Sequence, residues 1–309
     1  MDLVAYAVLR GFVGLLNVLP TALRLTLVKS IIRLLGLIVP RFRRIALRNM
    51  ELAFPDKDLA WRKNLLEKSF DPLARLFVDF ARLQQIDAAW IAEHVNCPFF
   101  ARFMEIKRQH PGKGVVIVTG HLGSFELLAH VVALLGQPIS FIVRDFKLPR
   151  VDRWWRSIRE ATGNRVISRA GAFREMVDEL KTGRDVAVLF DQNVTRKHAV
   201  FVDWFGRQAA TTKSVALAAI RTEAPVVVAA IHCVDPKNDR YDVEAYEFDF
   251  SSIYADTTID SEEKVRLITQ RLSDSYQDMI RRTPEAWFWM HRRWKTAPTP
   301  EQETVYRGL

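Results

Sequence analysis

The run Gly114-Val115-Val116-Ile117-Val118-Thr119-Gly120-His121-Leu122-Gly123-Ser124-Phe125-Glu126-Leu127-Leu128-Ala129-His130-Val131-Val132-Ala133-Leu134-Leu135 joins two apolar stretches across a short polar seam. The β-branched residues before Gly120 predict a buried strand, and the length and composition after Ser124 predict a helix. A His then ends the strand and a Glu sits in the first turn of the helix, where the two can lie close together. An imidazole so placed can take a proton from a hydroxyl while the carboxylate fixes its tautomer and stabilises the imidazolium. Taken singly, His121 also reads as a hydrogen-bonded strand-end histidine, and Glu126 as a carboxylate favoured near a helix N-terminus. Gly120 and Gly123 permit close backbone approach. The amides that open the helix near Ser124 can face an oxyanion or a phosphate. Ser124 itself reads as a helix cap, because Gly-x-Ser-x-Gly is absent.

Outward from this seam, strands are predicted at 114–119, 138–143, 185–190, 225–232 and 241–250. Helices are predicted at 124–136, 150–162, 171–182, 212–222 and 261–282, the last opened by a capping box at Asp260-Ser261-Glu262-Glu263. A further helix spans about Asp58 to Asp87, where Trp61, Leu65, Leu66, Phe70, Leu73, Phe77 and Phe80 recur at three- and four-residue steps. Alternating strands and helices argue for an α/β fold with a mainly parallel central sheet covered by helices. In such sheets the working crevice lies beyond the carboxyl ends of the strands. His121, Arg144 and Asp191 all fall there.

No Gly/Ser tract, Pro-rich run or internal repeat divides the 309 residues, so 41–309 reads as a single domain. The formal charge of +9 implies an anionic partner. Cys97 and Cys233 lack metal or disulfide spacing, and no Walker loop, dinucleotide fingerprint or HExxH is present. No metal and no cofactor are therefore expected. Nucleic acid is not expected as the partner either, since no recognised motif accompanies the charge. Arg153, Arg156 and Arg159, interleaved with Trp154 and Trp155, read as a basic helix face suited to a headgroup or a carrier protein. The carboxy-terminal Trp287, Trp289, His291, Arg292, Arg293 and Trp294 fit a lipid interface and a segment packed back on the domain equally well.

Residues 1–40 are almost wholly apolar, with few charges and a break at Pro20. Neither half offers the about 20 uncharged apolar residues that a bilayer span takes. On a helix, Tyr6, Arg10, Gly14 and Asn17 share one face and leave Leu, Val and Phe on the other, a pattern that fits a helix in the membrane interface. Arg41, Arg43, Arg44 and Arg48 follow and mark a cytoplasmic side. The segment is read as an apolar membrane-anchoring helical segment. The competing reading is a helical hairpin packed on the domain.

In this setting His121-x4-Glu126 resembles the acyl-transfer motif of the glycerolipid acyltransferase superfamily. Three stretches narrow the resemblance to the bacterial lipid A biosynthesis (lauroyl/myristoyl) acyltransferases: Arg43 to Pro55, Val200 to Thr212 preceded by Phe190-Asp191-Gln192-Asn193, and Pro284 to Lys295. The match runs in order from roughly 40 to 295. The chain departs from the family where Ser124-Phe125 replaces a common Asn-Trp, where Asn193 replaces a common Asp, and where Lys213-Ser214 follows the paired Thr.

The resemblance implies transfer of a fatty acyl chain from an acyl thioester, carried by acyl carrier protein or coenzyme A, to a hydroxyl of a phosphorylated glycolipid. It places the enzyme on the cytoplasmic face of the inner membrane. His121 would be the general base, Glu126 its orienting partner, and the Gly123 backbone a site for the oxyanion. Arg144 stands where the superfamily's second block puts a basic residue for the phosphorylated acceptor, and a guanidinium suits phosphate by donating two parallel hydrogen bonds. A salt bridge to Asp145 is the plainer role for Arg144. Asp191 would bind the acceptor's sugar hydroxyls or hold a loop. Arg207 and Thr212 would contact phosphate, or the threonine would cap the following helix. The alternatives are another membrane acceptor (a phosphatidylinositol mannoside, a lysophospholipid or an aminolipid) and a non-catalytic basic membrane-binding module.

Overall fold

The computed structural model describes residues 1–309. In chain order the helices are α1 (Asp2–Val18), α2 (Thr21–Ile38), α3 (Pro40–Ala53), α4 (Leu59–Arg82), α5 (Ala88–His94), α6 (Phe100–Gln109), α7 (Phe125–Leu134), α8 (Pro149–Glu160), α9 (Ala172–Lys181), α10 (Ser214–Thr222), α11 (Ser251–Ala255) and α12 (Ser261–Arg282). The strands are β1 (Val95–Asn96), β2 (Val116–Thr119), β3 (Ser140–Val143), β4 (Arg165–Ser168), β5 (Val186–Leu189), β6 (Ala199–Trp204), β7 (Arg207–Thr212), β8 (Val226–Asp235) and β9 (Arg240–Phe248). Seven strands form one sheet in the order β1-β9-β8-β2-β5-β3-β4, parallel except for the β8–β9 pair. The expected mainly parallel, helix-covered sheet is thus what the chain forms. Asp260 caps α12 by accepting from the Glu263 amide at 2.8 Å, as its spacing predicts.

β1 and the helices α5, α6 and α11 were missed in the sequence, and two further features were not legible in it. The short strand β4 pairs only with β3 and lies at the sheet edge. β6 and β7, which carry part of the family-like central stretch, form a separate hairpin joined by Phe205 and Gly206, both at positive φ (55° and 77°). A two-residue turn with both residues in that region normally signals itself by Asn-Gly. Here Phe205 holds the strained position through tertiary contacts: its ring is buried, stacks edge-on with Phe54 and lies under Arg281, and its amide donates to Gln277.

The amino-terminal segment folds as a helical hairpin, α1 followed by α2, and no helix of the chain is long and apolar enough to cross a membrane. The hairpin packs through a mixed face, with Leu16 and Val28 buried beside Ala74 and Val78 of α4 and polar contacts around them. Tyr6 meets Trp154 edge-on, Arg10 lies over the same indole, and Asn17 donates to the Ala81 carbonyl at 3.1 Å. Leu3, Val4, Val8, Leu15, Val18, Leu34, Leu37 and Ile38 are left on the outside.

Candidate active site

β2 ends at Thr119 and the chain turns sharply through Gly120-His121-Leu122-Gly123-Ser124 into α7. Both glycines are sterically required. A Cβ on Gly120 would lie 2.6 Å from the Asp191 carboxyl carbon and from the Tyr276 hydroxyl, and one on Gly123 would lie 2.0 Å from the Ile231 carbonyl oxygen, at φ +62°. These close approaches bring the ends of β2 and β5 together, so the loop after β5 delivers Asp191 to His121.

His121 Nδ1 lies 2.8 Å from Asp191 Oδ1, with the imidazole 22% exposed and the carboxylate 1% exposed. The other carboxylate oxygen accepts from the His121 amide at 2.9 Å and from the Trp287 indole Nε1 at 2.8 Å. Burial pushes the Asp191 carboxyl up, but the charge of His121 and these three donors outweigh it and bring its pKa down to about 2. An ionised carboxylate only accepts, so Nδ1 carries a proton, and in the neutral imidazole Nε2 then keeps its lone pair. That lone pair faces the side-chain amide of Gln192, 3.1 Å away.

The geometry corrects the expected pairing. Glu126 is given over to Arg159: the guanidinium forks across both carboxylate oxygens, Nε at 3.0 Å from Oε2 and Nη2 on Oε1. Asp191 takes the place beside His121 that the sequence assigned to Glu126, because the strand-end turn points Nδ1 toward β5 rather than along α7. Arg156 is likewise drawn inward, to Asp145 and Asp152, so the basic face read on α8 is largely consumed in ion pairs. Arg144 is therefore free of Asp145 and makes no ion pair.

The backbone donors also differ from expectation. The Gly123 amide donates to the Ala286 carbonyl at 3.0 Å and the Ser124 amide to Ile231 at 3.2 Å, so neither is open to an oxyanion. The Ser124 hydroxyl donates to the buried Asp79 at 2.6 Å instead of capping α7. Trp287, Trp289, Arg293 and Trp294 are all buried, which decides for the packed carboxy-terminal segment over the lipid interface.

His121, Glu126, Arg144 and Thr212 line one cavity of about 990 Å³, and Asp191 lies behind His121. Arg207 does not line it, since it sits at the β6–β7 turn. Thr212 shares a 2.8 Å hydrogen bond with Ser214 at the start of α10. Along the sheet, Val243 and Ala245 of β9, Val227 and Ala229 of β8, Ile117 of β2, Ala187 of β5 and Phe141 of β3 form a single face of the cavity wall. Four strand spacings make this wall about 19 Å long. Phe100 and Phe103 of α6 with Leu128, Ala129 and Val132 of α7 cover it. Alanines at sheet and helix positions leave the room. The mouth carries cations instead: Arg144, Arg159, Arg169 and Lys213.

Sequence spacing missed Arg159, Trp287 and Gln192 as site residues. Gln192 lies next to Asp191 in a stretch the resemblance had marked, and Trp287 lies in the carboxy-terminal one. Arg159 left no such signal, because its partner Glu126 is 33 residues away.

The family described as bacterial lipid A biosynthesis acyltransferase matches residues 3–296 of the chain. The chain is 26% identical over 271 residues to the lipid A biosynthesis palmitoleoyltransferase of Escherichia coli (strain K12), covering 84% of this chain and 81% of that protein. It is 22% identical over 265 residues to the lipid A biosynthesis myristoyltransferase of the same organism, covering 86% and 79%. It is 21% identical over 295 residues to lipid A biosynthesis acyltransferase 2 of Shigella flexneri, covering 95% and 90%.

Proposed function

The chain belongs to the bacterial lipid A biosynthesis acyltransferase family and is an O-acyltransferase, and from that premise we propose that it acylates a hydroxyl of a lipid A precursor with His121 as general base and Asp191 as the carboxylate that orients it. The 2.8 Å contact between His121 Nδ1 and Asp191 Oδ1 at the edge of a long apolar cavity carries this reading. Asp191 holds Nδ1 protonated, so Nε2 receives the proton of the acceptor hydroxyl. The oxygen then attacks the thioester carbonyl. As the tetrahedral intermediate collapses, the C–S bond breaks and the proton on Nε2 passes to the leaving thiolate. Base catalysis of this kind contributes typically about 10² to 10⁴-fold, so positioning of two amphiphiles supplies much of the rest.

The apolar wall between Phe141 and Ala245 suits the donor's acyl chain, and the cationic mouth suits a phosphorylated acceptor. Glu126 holds the Arg159 guanidinium at the cavity, where its charge can meet the developing oxyanion. Arg144 and Thr212 are assigned to the acceptor. Donors on acyl carrier protein and on coenzyme A both fit this chemistry.

The outward apolar face of α1 and α2, with exposed Phe42, Arg41 and Arg44 beside it, supports attachment to the cytoplasmic face of the inner membrane with the helices lying in the interface. The deciding experiment supplies a strain lacking this protein with the wild-type chain, His121→Ala or Asp191→Asn and weighs its lipid A by mass spectrometry. One acyl chain should be missing with His121→Ala and largely missing with Asp191→Asn. Full acylation by a folded His121→Ala protein overturns the mechanism.

A further inference from the structure

Gln192 is the one side chain on the base's proton-accepting nitrogen, and the proposed reaction does not use it. Its amide nitrogen lies 3.1 Å from His121 Nε2, and the side chain makes no other hydrogen bond. The backbone around it is fixed from both sides. Asp191 before it is clamped by His121 and Trp287. Asn193 after it donates its amide to His291 Nε2 at 3.0 Å, and its side chain exchanges hydrogen bonds of 3.1 and 2.9 Å with Thr296. The loop is thus anchored, while the Gln192 side chain lines the open cavity. Rotation about its own χ angles is the movement left to it, on a time scale far shorter than turnover.

An acceptor hydroxyl must donate to the same Nε2 lone pair that the Gln192 amide now occupies. Water entering the cavity needs that lone pair too. The two are not equivalent competitors, because a bound acceptor brings many contacts to displace the amide and a single water brings few. We propose that Gln192 is a specificity-determining residue that caps the general base until the acceptor displaces it, so that a loaded thioester is not hydrolysed by water. This rests on His121 being the general base. The reaction suppressed is attack of water on the thioester carbonyl: water gives a proton to Nε2, a C–O bond forms, the C–S bond breaks, and the proton passes to the leaving thiolate. The products are a fatty acid and a free thiol.

The test uses the full chain with an acyl-coenzyme A thioester as probe, following thiol and fatty acid release with and without a lipid A precursor. Gln192→Leu keeps the volume and removes the donor; Gln192→Met is a second replacement of similar length. Without acceptor, both should release fatty acid about three- to tenfold faster than wild type, the worth of one modest hydrogen bond. At saturating acceptor the excess should vanish, because the hydroxyl then fills the site in every variant. A purely structural role would slow hydrolysis and transfer together. Hydrolysis at or below the wild-type rate in either variant, with thermal unfolding unchanged, overturns the cap. His121→Ala should abolish release in every background. If it hydrolyses as wild type, the base assignment fails and takes the cap with it, an outcome distinct from failure of the cap alone.

Discussion

The Trp287 indole nitrogen donates to Asp191 at 2.8 Å, on the oxygen opposite the one that meets the His121 imidazole. Two antiparallel contacts seat the tryptophan: the Phe288 amide donates to the His121 carbonyl at 2.9 Å and the Gly123 amide to the Ala286 carbonyl at 3.0 Å. The carboxy-terminal segment therefore holds both partners of the proposed dyad. Trp287→Phe keeps most of the buried ring and removes the donor. Turnover should fall about fivefold with substrate KM values nearly unchanged, the cost of roughly 1 kcal/mol of lost orientation. Loss of packing alone would lower thermal stability and leave turnover near wild type.

The division of the two carboxylates can be measured by double-mutant cycles. Asp191→Asn should be non-additive with His121→Ala, since the two act as one unit. Glu126→Gln should instead be non-additive with Arg159→Lys and close to additive with Asp191→Asn. Strong coupling of Glu126 to His121 in the transfer rate would restore the pairing that the His121-x4-Glu126 spacing suggests.

Acyl chain choice should follow the small residues of the sheet wall. Ala245 lies at the cavity end beneath α6, beside Ala229 in the β8–β9 register. Ala245→Phe fills that end without touching His121, so the preferred donor should shorten by several carbons while turnover with the short donor persists. Competition among donors of graded length, read by mass spectrometry of the product, reports this directly. An unchanged preference would place the donor chain elsewhere.

The elements that sequence reading located are those whose apolar period is long or whose ends carry a chemical signal. β2 is buried on both faces and reads as a continuous apolar run, while α12 announces itself through Asp260. β4 and the β6–β7 hairpin were hidden because tertiary contacts, such as those on Phe205, supply what local preference lacks. The site divides in the same way. His121 and Asp191 both fall at strand ends, where a crevice is expected, but their pairing depends on the adjacency of β2 and β5, which residue order does not encode. The α1 helix gives the converse case. Its amphipathic pattern was plain, yet only packing reveals that Tyr6 and Asn17 meet the protein on the side where Leu16 is buried.

The outward residues of the hairpin yield a test free of folding artefacts. Deleting residues 1–40 would also strip Leu16 and Val28 from Ala74 and Val78 of α4, so loss of membrane binding and loss of stability would be confounded. Val8, Leu34 and Leu37 are exposed, and replacing each by Asp touches no core contact. Unfolding should shift by no more than about 0.5 kcal/mol per site. The triple variant should leave the membrane pellet and float less with anionic vesicles. Unchanged pelleting would mean that other surfaces hold the protein to lipid.

Stability at mildly acid pH should be governed in part by His291. Burial outweighs the attraction of Asp191 and lowers its pKa to about 4, and its Nε2 must stay unprotonated to accept the Asn193 amide at 3.0 Å. The unfolded chain takes up this proton near pH 6.5 and the folded chain only near pH 4. The stabilisation is therefore complete above about pH 6.5 and is lost as pH falls toward 4. A shift of this size amounts to roughly 3 kcal/mol at most. His130 and His232 are also lowered by burial and add to the slope, so the substitution must isolate one term. His291→Gln offers a carbonyl oxygen to the same amide without titrating. Denaturant unfolding from pH 7 to 4 should show a shallower loss for this variant than for wild type, with similar stability at pH 7. Parallel curves for the two proteins would remove His291 as the acid-labile support of the Asp191–Asn193 loop.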